Sequence, residues 1–255
     1  MAGLTSPSQH VVVVMPTYQE RENLETITRR VRAAVPQADL LIVDDNSPDG
    51  TGDLASKLSA ADPQISVMHR PGKEGLGPAY IAGFRVAIDC NYGAVVQMDA
   101  DGSHQPEHLP DLLAALEAGA DGVIGSRWVP GGQTVNWPKS RQILSRGGNA
   151  YARIMLGLDL KDVTGGYRAY RATALRAISL DTVESAGYCF QIDLTRRLIQ
   201  AGQRIVEVPI TFAERERGVS KMSGAIVGEA FLRVAQWGFT HPLAERKKTA
   251  SPRRG

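Results

Sequence analysis

Short, β-branched apolar runs alternate with segments of helical periodicity in the first half of the chain, and this alternation restricts the possible folds most. The run at 10–15 is apolar on both faces, as in a buried parallel strand, and we expect it to end at Pro16. Apolar residues at 24, 27, 31 and 34 then recur at helical spacing. Further strands are predicted at 40–43, 65–69, 94–98 and 122–125, with helices at 78–90 and 106–118. Strand and helix in alternation predict an α/β fold with a mostly parallel sheet covered by helices on both faces.

The second half is less regular. It predicts a basic, partly apolar stretch at 134–158, a glycine-containing loop at 162–170, helices at 189–201 and 222–239, and a strand at 205–212. The final residues are basic and polar, so we predict one domain at 1–243 and a disordered tail at 244–255.

The overall charge and the cysteines restrict the class of protein. With 29 basic and 27 acidic residues the net charge is +2, which gives no reason to expect a nucleic-acid partner. Cys90 and Cys189 lie in apolar segments far apart, which predicts buried free thiols and a reducing, cytoplasmic location. No run approaches the roughly 18 apolar residues of a membrane helix, and residues 1–10 lack the features of a signal peptide.

Two carboxylates follow the predicted strand at 94–98. Asp99 and Asp101 would stand at the carboxyl edge of the sheet, where open α/β folds bind ligands. Such a pair can hold Mg²⁺ or Mn²⁺, which takes its other ligands from water and diphosphate oxygens. The alternative is an acidic turn that only ends the strand.

Two more loops place polar side chains on the same edge. Tyr18 could stack on a nucleoside base, while Glu20 and Asp45 could accept hydrogen bonds from base and ribose. These residues could instead be solvated loop residues that cap helices.

Four stretches resemble the inverting glycosyltransferases of family 2. In order along the chain they are PTYQE, VDDNSPDGT, the stretch from Lys73 to Gly83, and MDADGSH. Four later stretches are similar to motifs of the polyprenol or dolichol phosphate mannose synthases: GSRW, SRQILSRGGN, TGGYRAY and ERERGVSK. The similarity is to the type of these synthases that has no transmembrane helices. This resemblance implies a Rossmann-like GT-A fold, a GDP-mannose donor, a polyprenyl phosphate acceptor and a β-mannosyl phospholipid formed with inversion.

The resemblance also implies roles for individual residues. It implies Asp101 and Arg127 in catalysis and Asp99 and Asp101 at the metal. The residues that it implies around the donor are Pro16, Tyr18, Glu20, Val43, Asp45, Lys73, Asp99, Ala100 and Asp101. The residues that it implies at the acceptor phosphate are Arg127, Arg141, Ser145, Arg215 and Lys221. One departure is Ser103, where the family often has glutamine. Serine reaches less far, so water could take its place at the metal.

The basic residues have a physical reason apart from the resemblance. An acceptor phosphate must approach an anionic donor, so cations have to converge on it. A lipid acceptor would further require peripheral contact with the cytoplasmic face of a membrane, or a separate membrane anchor protein. The segments at 134–158 and 222–239 could provide that contact or could be core helices.

Other functions remain open at this point. A related transferase could use UDP-glucose or another nucleotide sugar with a lipid phosphate, and a non-catalytic module could bind a nucleotide sugar. A dinucleotide oxidoreductase is disfavoured, because Gly72, Gly75 and Gly77 do not form the expected fingerprint. A zinc enzyme is also disfavoured, because the five histidines and two cysteines lack ligand spacing.

Overall fold

The computed structural model describes residues 10–183, 187–214 and 224–240. The strands of these residues are β1 (Val11–Thr17), β2 (Asp39–Asp44), β3 (Ile65–His69), β4 (Ala94–Gln97), β5 (Gly122–Ser126), β6 (Gln133–Val135), β7 (Arg168–Arg171), β8 (Ile205–Pro209) and β9 (Thr211–Ala213). The helices are α1 (Arg21–Ala34), α2 (Thr51–Ala61), α3 (Leu76–Asp89), α4 (Leu109–Glu117), α5 (Lys139–Leu156), α6 (Ala172–Arg176), α7 (Gly187–Gln200) and α8 (Gly224–Thr240).

Seven strands form the central sheet, in the order β3-β2-β1-β4-β7-β5-β8. β7 pairs antiparallel with β4 and β5, and the other neighbours in this sheet pair parallel. The predicted α/β fold with a mostly parallel sheet is therefore confirmed. β1, β2, β4 and β5 all end at one edge of the sheet, and the loop before β7 arrives at the same edge, so Tyr18, Asp45, Asp99, Asp101 and Arg127 follow strands that end at one rim.

Apolar side chains alternate between the two faces of the sheet. In β1, Val11, Val13 and Met15 enter one core, while Val12 and Val14 enter the other. Helix α3 packs so closely on β1 that a Cβ on Gly83 would lie 2.3 Å from Val14 Cγ1. Both faces are thus filled, as a sheet flanked by helices requires.

Strand β1 extends past the predicted end at Pro16 to Thr17. Proline has no N–H to donate, and a central strand usually excludes it for that reason. Here the register with β4 ends at Val14, opposite Gln97, while Pro16 still pairs with Val43 of β2. Pro16 thus lies beyond the paired part of β4, and its missing donor does not interrupt the strand.

Several elements differ from the predictions. Helix α2 was not predicted, because its sequence TGDLASKLSAA follows a run of turn formers and buries little. The predicted loop at 162–170 contains part of β7, whose first residue Arg168 is hydrophilic but only 1% exposed. The predicted strand at 205–212 is divided into β8 and β9, which belong to different sheets. Cys189 is buried as predicted, but Cys90 is exposed; both are free thiols.

Helices α5 and α8 pack side by side. Tyr151 donates a hydrogen bond to the carbonyl of Phe231 at 3.0 Å, and their rings are 4.6 Å apart. Large apolar side chains nevertheless face outward: Ile143, Leu144 and Ile154 from α5 and Leu232 and Phe239 from α8, which we call the apolar surface. Among the described residues, no helix is both long and apolar enough to cross a bilayer.

The predicted division into a domain at 1–243 and a tail at 244–255 stays a prediction, because the tail lies outside the described residues.

Candidate active site

Asp99 lies just beyond the end of β4 and is held from two sides. The hydroxyl of Tyr80, on α3, donates to Asp99 Oδ1 at 2.6 Å. The backbone N–H of Asp99 donates to Nδ1 of His104 at 3.0 Å. The Asp99 side chain keeps 29% of its surface exposed, so an anchored carboxylate still reaches the rim.

His104 is a neutral, fixed ring. Since its Nδ1 accepts a hydrogen bond, the ring proton of the neutral form is on Nε2, which lies 3.9 Å from Asp99 Oδ2. Burial lowers the pKa of His104, and this outweighs the opposite effect of Asp99 and Asp101. The ring stacks on Tyr167 with centroids 4.8 Å apart. His104 therefore orients Asp99 without adding a charge.

Asp101 is oriented by the next turn of the chain. Its Oδ1 accepts hydrogen bonds from the backbone N–H of Ser103 at 3.0 Å and from the Ser103 hydroxyl at 2.6 Å. Ala100, between the two acids, is 2% exposed and packs into the core. The predicted acid pair is thus brought together at the rim, and Ser103 binds Asp101.

The loops after β1, β2 and β3 form the next part of the rim. Lys73 Nζ lies 4.1 Å from the centre of the Tyr18 ring, so these two predicted residues meet. Asp45 is paired with Arg70 and also accepts from the backbone N–H of Gly75 at 3.4 Å. The carboxylate of Asp45 is therefore already held by a guanidinium, which the sequence did not indicate.

Three other residues predicted near the donor lie at the base of this rim. Pro16 and Val43 are buried register partners in β1 and β2, so their side chains belong to the sheet. Glu20 stands directly before α1, where its carboxylate accepts from Asn23 Nδ2 at 2.8 Å and its N–H donates to Thr51 at 3.0 Å. Glu20 thus begins α1 through its backbone carbonyl, which accepts from the N–H groups of Asn23 and Leu24, while its side chain makes no capping hydrogen bond to the helix.

Arg127 follows β5 and is almost fully buried. Its Nε and Nη2 donate to the two oxygens of Asp162 at 2.7 and 2.6 Å, and its backbone N–H adds a third bond to the same carboxylate. Burial raises the pKa of Asp162, but the Arg127 guanidinium outweighs it and the pKa lies below its ordinary value. Asn149 and Thr164 complete this buried cluster.

Arg141 and Ser145 lie on α5. Arg141 bonds to Glu214 at 2.9 Å, and its guanidinium carbon lies 4.0 Å from the centre of the Trp137 ring. Arg127 lies 5.3 Å from the same ring, so the two predicted arginines share one aromatic side chain. The Ser145 hydroxyl is buried and has no hydrogen-bond partner among the described residues.

Phe212 connects the acidic and the basic parts of the rim. Its ring lies 5.5 Å from His104 and 5.4 Å from the guanidinium of Arg127. His104 in turn binds Asp99, so Phe212 contacts both the ring that holds Asp99 and the guanidinium of Arg127. Close approach also explains why Asp99, Asp101 and Arg127 all act on the pKa of His104.

The remaining predicted residues, Arg215 and Lys221, lie outside the described residues. The sequence did not single out Tyr80, His104, Arg70 or Asp162. His104 stands inside the motif MDADGSH, so a search for polar residues near the acid pair could have found it. Tyr80, Arg70 and Asp162 come from other segments, and their partners depend on the three-dimensional fold.

Comparison with known proteins gives consistent matches. Residues 12–179 match the model of Glycosyl transferase family 2. An undecaprenyl-phosphate mannosyltransferase of Micrococcus luteus is 60% identical over 228 residues, covering 89% of this chain and 93% of that protein. A polyprenol monophosphomannose synthase of Mycolicibacterium smegmatis is 57% identical over 233 residues, covering 91% of this chain and 88% of that protein.

A solved structure shares the fold at much lower identity. Glucosyl-3-phosphoglycerate synthase from Mycobacterium tuberculosis, in complex with Mn²⁺, uridine diphosphate and phosphoglyceric acid, superposes with a TM-score of 0.62 at 18% identity. The match covers 91% of this chain and 77% of that one.

Proposed function

The chain belongs to glycosyltransferase family 2, and from that premise we propose that it transfers mannose from GDP-mannose to a polyprenyl phosphate with inversion at the sugar. The family and the glycosyltransferase activity come from the match over most of the chain. Mannosyl transfer to a polyprenyl phosphate comes from relatives of 60% and 57% identity whose names state it. The observation that supports it best is a series of contacts that connects Asp99 through His104 and Phe212 to Arg127, with Arg127 and Arg141 both on the Trp137 ring.

The nucleotide would bind where the loops after β1, β2 and β3 meet. Tyr18 offers an aromatic face and Lys73 a cation for a phosphate, and the two side chains are already in contact. Asp45 is paired with Arg70, so it would accept hydrogen bonds from ribose hydroxyls while it keeps that ion pair. GDP as the nucleotide is part of our proposal.

A divalent cation fits the acid pair. Asp99 and Asp101 supply carboxylate oxygens, the donors that Mg²⁺ and Mn²⁺ prefer, and Tyr80 and Ser103 fix one oxygen of each. Among the described residues, no group of three or more acidic, histidine or cysteine side chains is arranged to hold a metal ion, so diphosphate and water would complete the shell. The bound cation would neutralise the charge of the departing nucleoside diphosphate.

The acceptor phosphate needs no strong base. Its second pKa is about 6, so at neutral pH it already carries the nucleophilic charge. The chain then has to position the phosphate and balance its charge. Arg141 and Ser145 on α5 would bind it together with Arg127, whose fork Asp162 holds in place. Attack from the face opposite the nucleotide gives inversion.

The apolar surface supports peripheral contact with a membrane. Ile154 and Phe239 are each 81% exposed, and α5 also carries Lys139 and Arg146 at exposed positions. Burying such side chains in a bilayer gains about 1.5–3 kcal/mol each, and basic residues add attraction to anionic lipid. We therefore propose that α5 and α8 rest on the membrane that holds the acceptor, with a separate anchor protein as the alternative.

The direct test incubates purified protein with labelled GDP-mannose, Mg²⁺ or Mn²⁺ and short polyprenyl phosphates, then extracts the product into organic solvent. The proposal predicts label in the organic phase, and none when the lipid carries a hydroxyl in place of its phosphate. A parallel reaction with UDP-glucose tests the alternative donor. Label that stays in water with every lipid phosphate would refute the proposal, and preference for UDP-glucose would replace the donor.

A further inference from the structure

Gln191 carries an amide oxygen that is buried without a partner. The residue lies near the beginning of α7 and is 3% exposed, and its Oε1 has no hydrogen-bond partner among the described residues. The backbone at this position is fixed, because the Gln191 carbonyl accepts from Arg168 at 3.0 Å and from Thr195 at 2.9 Å. An unpaired buried polar atom is unfavourable, which suggests that a group from outside the chain completes it.

The end of this side chain lies close to Asp99. A Cβ built on Gly166 would lie 3.7 Å from Gln191 Nε2, 3.8 Å from Asp99 Oδ2 and 3.5 Å from His104 Cε1. The three side chains therefore converge on one face of Gly166, where the lack of a side chain leaves space. The two ends of an amide exchange by a half rotation, so Gln191 can present either a donor or an acceptor there.

We propose that Gln191 binds a hydroxyl of the donor's hexosyl group and so helps to determine which sugar is transferred. This inference rests on the proposed function. Tyr18 follows β1 and Lys73 follows β3, on one side of β4 in the sheet, whereas Gln191 binds Arg168 of β7 on the other side. With the nucleotide at Tyr18 and Lys73, the part of the donor beyond the diphosphate would therefore extend toward Gln191. The amide of Gln191 carries no charge to balance a phosphate, whereas a hydroxyl both donates and accepts, as an amide does.

Gln97 shows that an unpaired amide is not sufficient by itself. It is fully buried, and neither of its amide atoms has a partner among the described residues. Its place, however, is inside β4 in register with Arg168, before the strand reaches the rim. Among the residues that the structure describes, only Gln191 combines an unpaired oxygen with a position beside Asp99 and the open face of Gly166.

The test combines one substitution with a series of donor analogues. Calorimetry in the presence of Mn²⁺ measures the affinity of the natural chain and of the variant for each analogue. Gln191→Met removes the amide at similar size, and the ligands are GDP, GDP-mannose and the 2-, 3-, 4- and 6-deoxy forms of GDP-mannose. The natural chain should bind one deoxy form about tenfold more weakly than GDP-mannose. Gln191→Met should bind GDP-mannose about tenfold more weakly than the natural chain, bind that deoxy form no worse than GDP-mannose, and bind GDP normally.

Gln200→Met is the matched control, because it makes the same change on the same helix about 13 Å away. It should keep the natural preference among all the analogues. If Gln191→Met proves poorly folded by its melting temperature, Gln191→Asn, which withdraws the amide by one methylene, takes its place in the test. The inference is overturned if either Gln191 variant, while folded, discriminates among the deoxy forms as the natural chain does, or loses GDP and GDP-mannose affinity by the same factor.

Binding and transfer separate this inference from the proposed function. If the natural chain transfers mannose but Gln191→Met leaves the discrimination among deoxy forms unchanged, the proposed function is retained and the role of Gln191 is rejected. If Gln191→Met abolishes that discrimination but the natural chain transfers sugar to no lipid phosphate, the role of Gln191 is retained and the proposed function is rejected.

Discussion

The hydroxyl oxygen of Tyr80 lies 2.6 Å from Oδ1 of Asp99, and Tyr80 is fully buried in the core. Burial raises the pKa of Tyr80, and the negative charge of Asp99 raises it further, so the hydroxyl keeps its proton and donates it. One oxygen of a rim carboxylate is thus oriented by helix α3. The precision of the acid pair therefore depends on the core beneath it.

Tyr80→Phe should weaken metal-dependent donor binding. The change removes one hydrogen bond to a charged oxygen, so we expect affinity for GDP-mannose with Mn²⁺ to fall about tenfold, by calorimetry. Tyr92→Phe is the control, because the Tyr92 hydroxyl also lies 2.6 Å from an aspartate, Asp39, at the opposite edge of the sheet. Equal donor affinity in the two variants would show that Tyr80 does not orient the site.

Asp101→Asn should lower the transfer rate at least about a hundredfold, because it removes a carboxylate charge from the proposed cation site. Ser103→Ala should lower it only about tenfold, since the serine supports Asp101 through a hydrogen bond. Initial rates across a Mn²⁺ titration separate the two effects. If Asp101→Asn reached a near-normal rate at high Mn²⁺, the assignment of Asp101 would fail.

Asp162→Asn should destabilise the protein, because the buried Arg127 would lose its charge partner. Removing one member of such a pair costs about 3–5 kcal/mol. Thermal unfolding of Asp162→Asn and of Asp159→Asn, an exposed carboxylate nearby, measures the difference at neutral pH. A small, equal effect in both variants would mean that the Arg127–Asp162 pair contributes little.

The same pair predicts a dependence on pH. The pKa of Asp162 is lowered in the folded protein from its ordinary value of 3.8, so its ionised form stabilises the fold fully above that value. This stabilisation is lost as the pH falls below 3.8 through the folded pKa. The difference in melting temperature between the natural chain and Asp162→Asn should therefore shrink in that acidic range. A constant difference would contradict the lowered pKa.

The double substitution Ile154→Asn and Phe239→Asn should weaken binding to anionic vesicles, because both side chains are 81% exposed and add nothing to the core. Co-sedimentation should fall more than tenfold, given about 1.5–3 kcal/mol for each buried apolar side chain. Transfer to a water-soluble short-chain acceptor is the control and should stay normal. Unchanged vesicle binding would favour a separate anchor protein.

The repeated strands and helices could be predicted from the sequence because hydrophobic periodicity reports which faces are buried. β7 escaped prediction because Arg168 is buried through hydrogen bonds to Gly165, Val163 and Gln191 carbonyls, which periodicity does not record. The acid pair was predictable from its place after β4. Its supports were not, since Tyr80 reaches Asp99 only through the packing of α3, and Asp162 reaches Arg127 across 35 residues of sequence.

The central claim is that a cation at Asp99 and Asp101 faces the site that receives the acceptor phosphate. The most direct measurement is the ³¹P linewidth of a short polyprenyl phosphate in the presence of protein, Mn²⁺ and GDP, a mixture that cannot transfer sugar. Broadening of the lipid phosphorus signal beyond that seen without protein, lost in Asp101→Asn, is the predicted result. Acceptor that binds the protein with no broadening, or with broadening that persists in Asp101→Asn, would contradict the account.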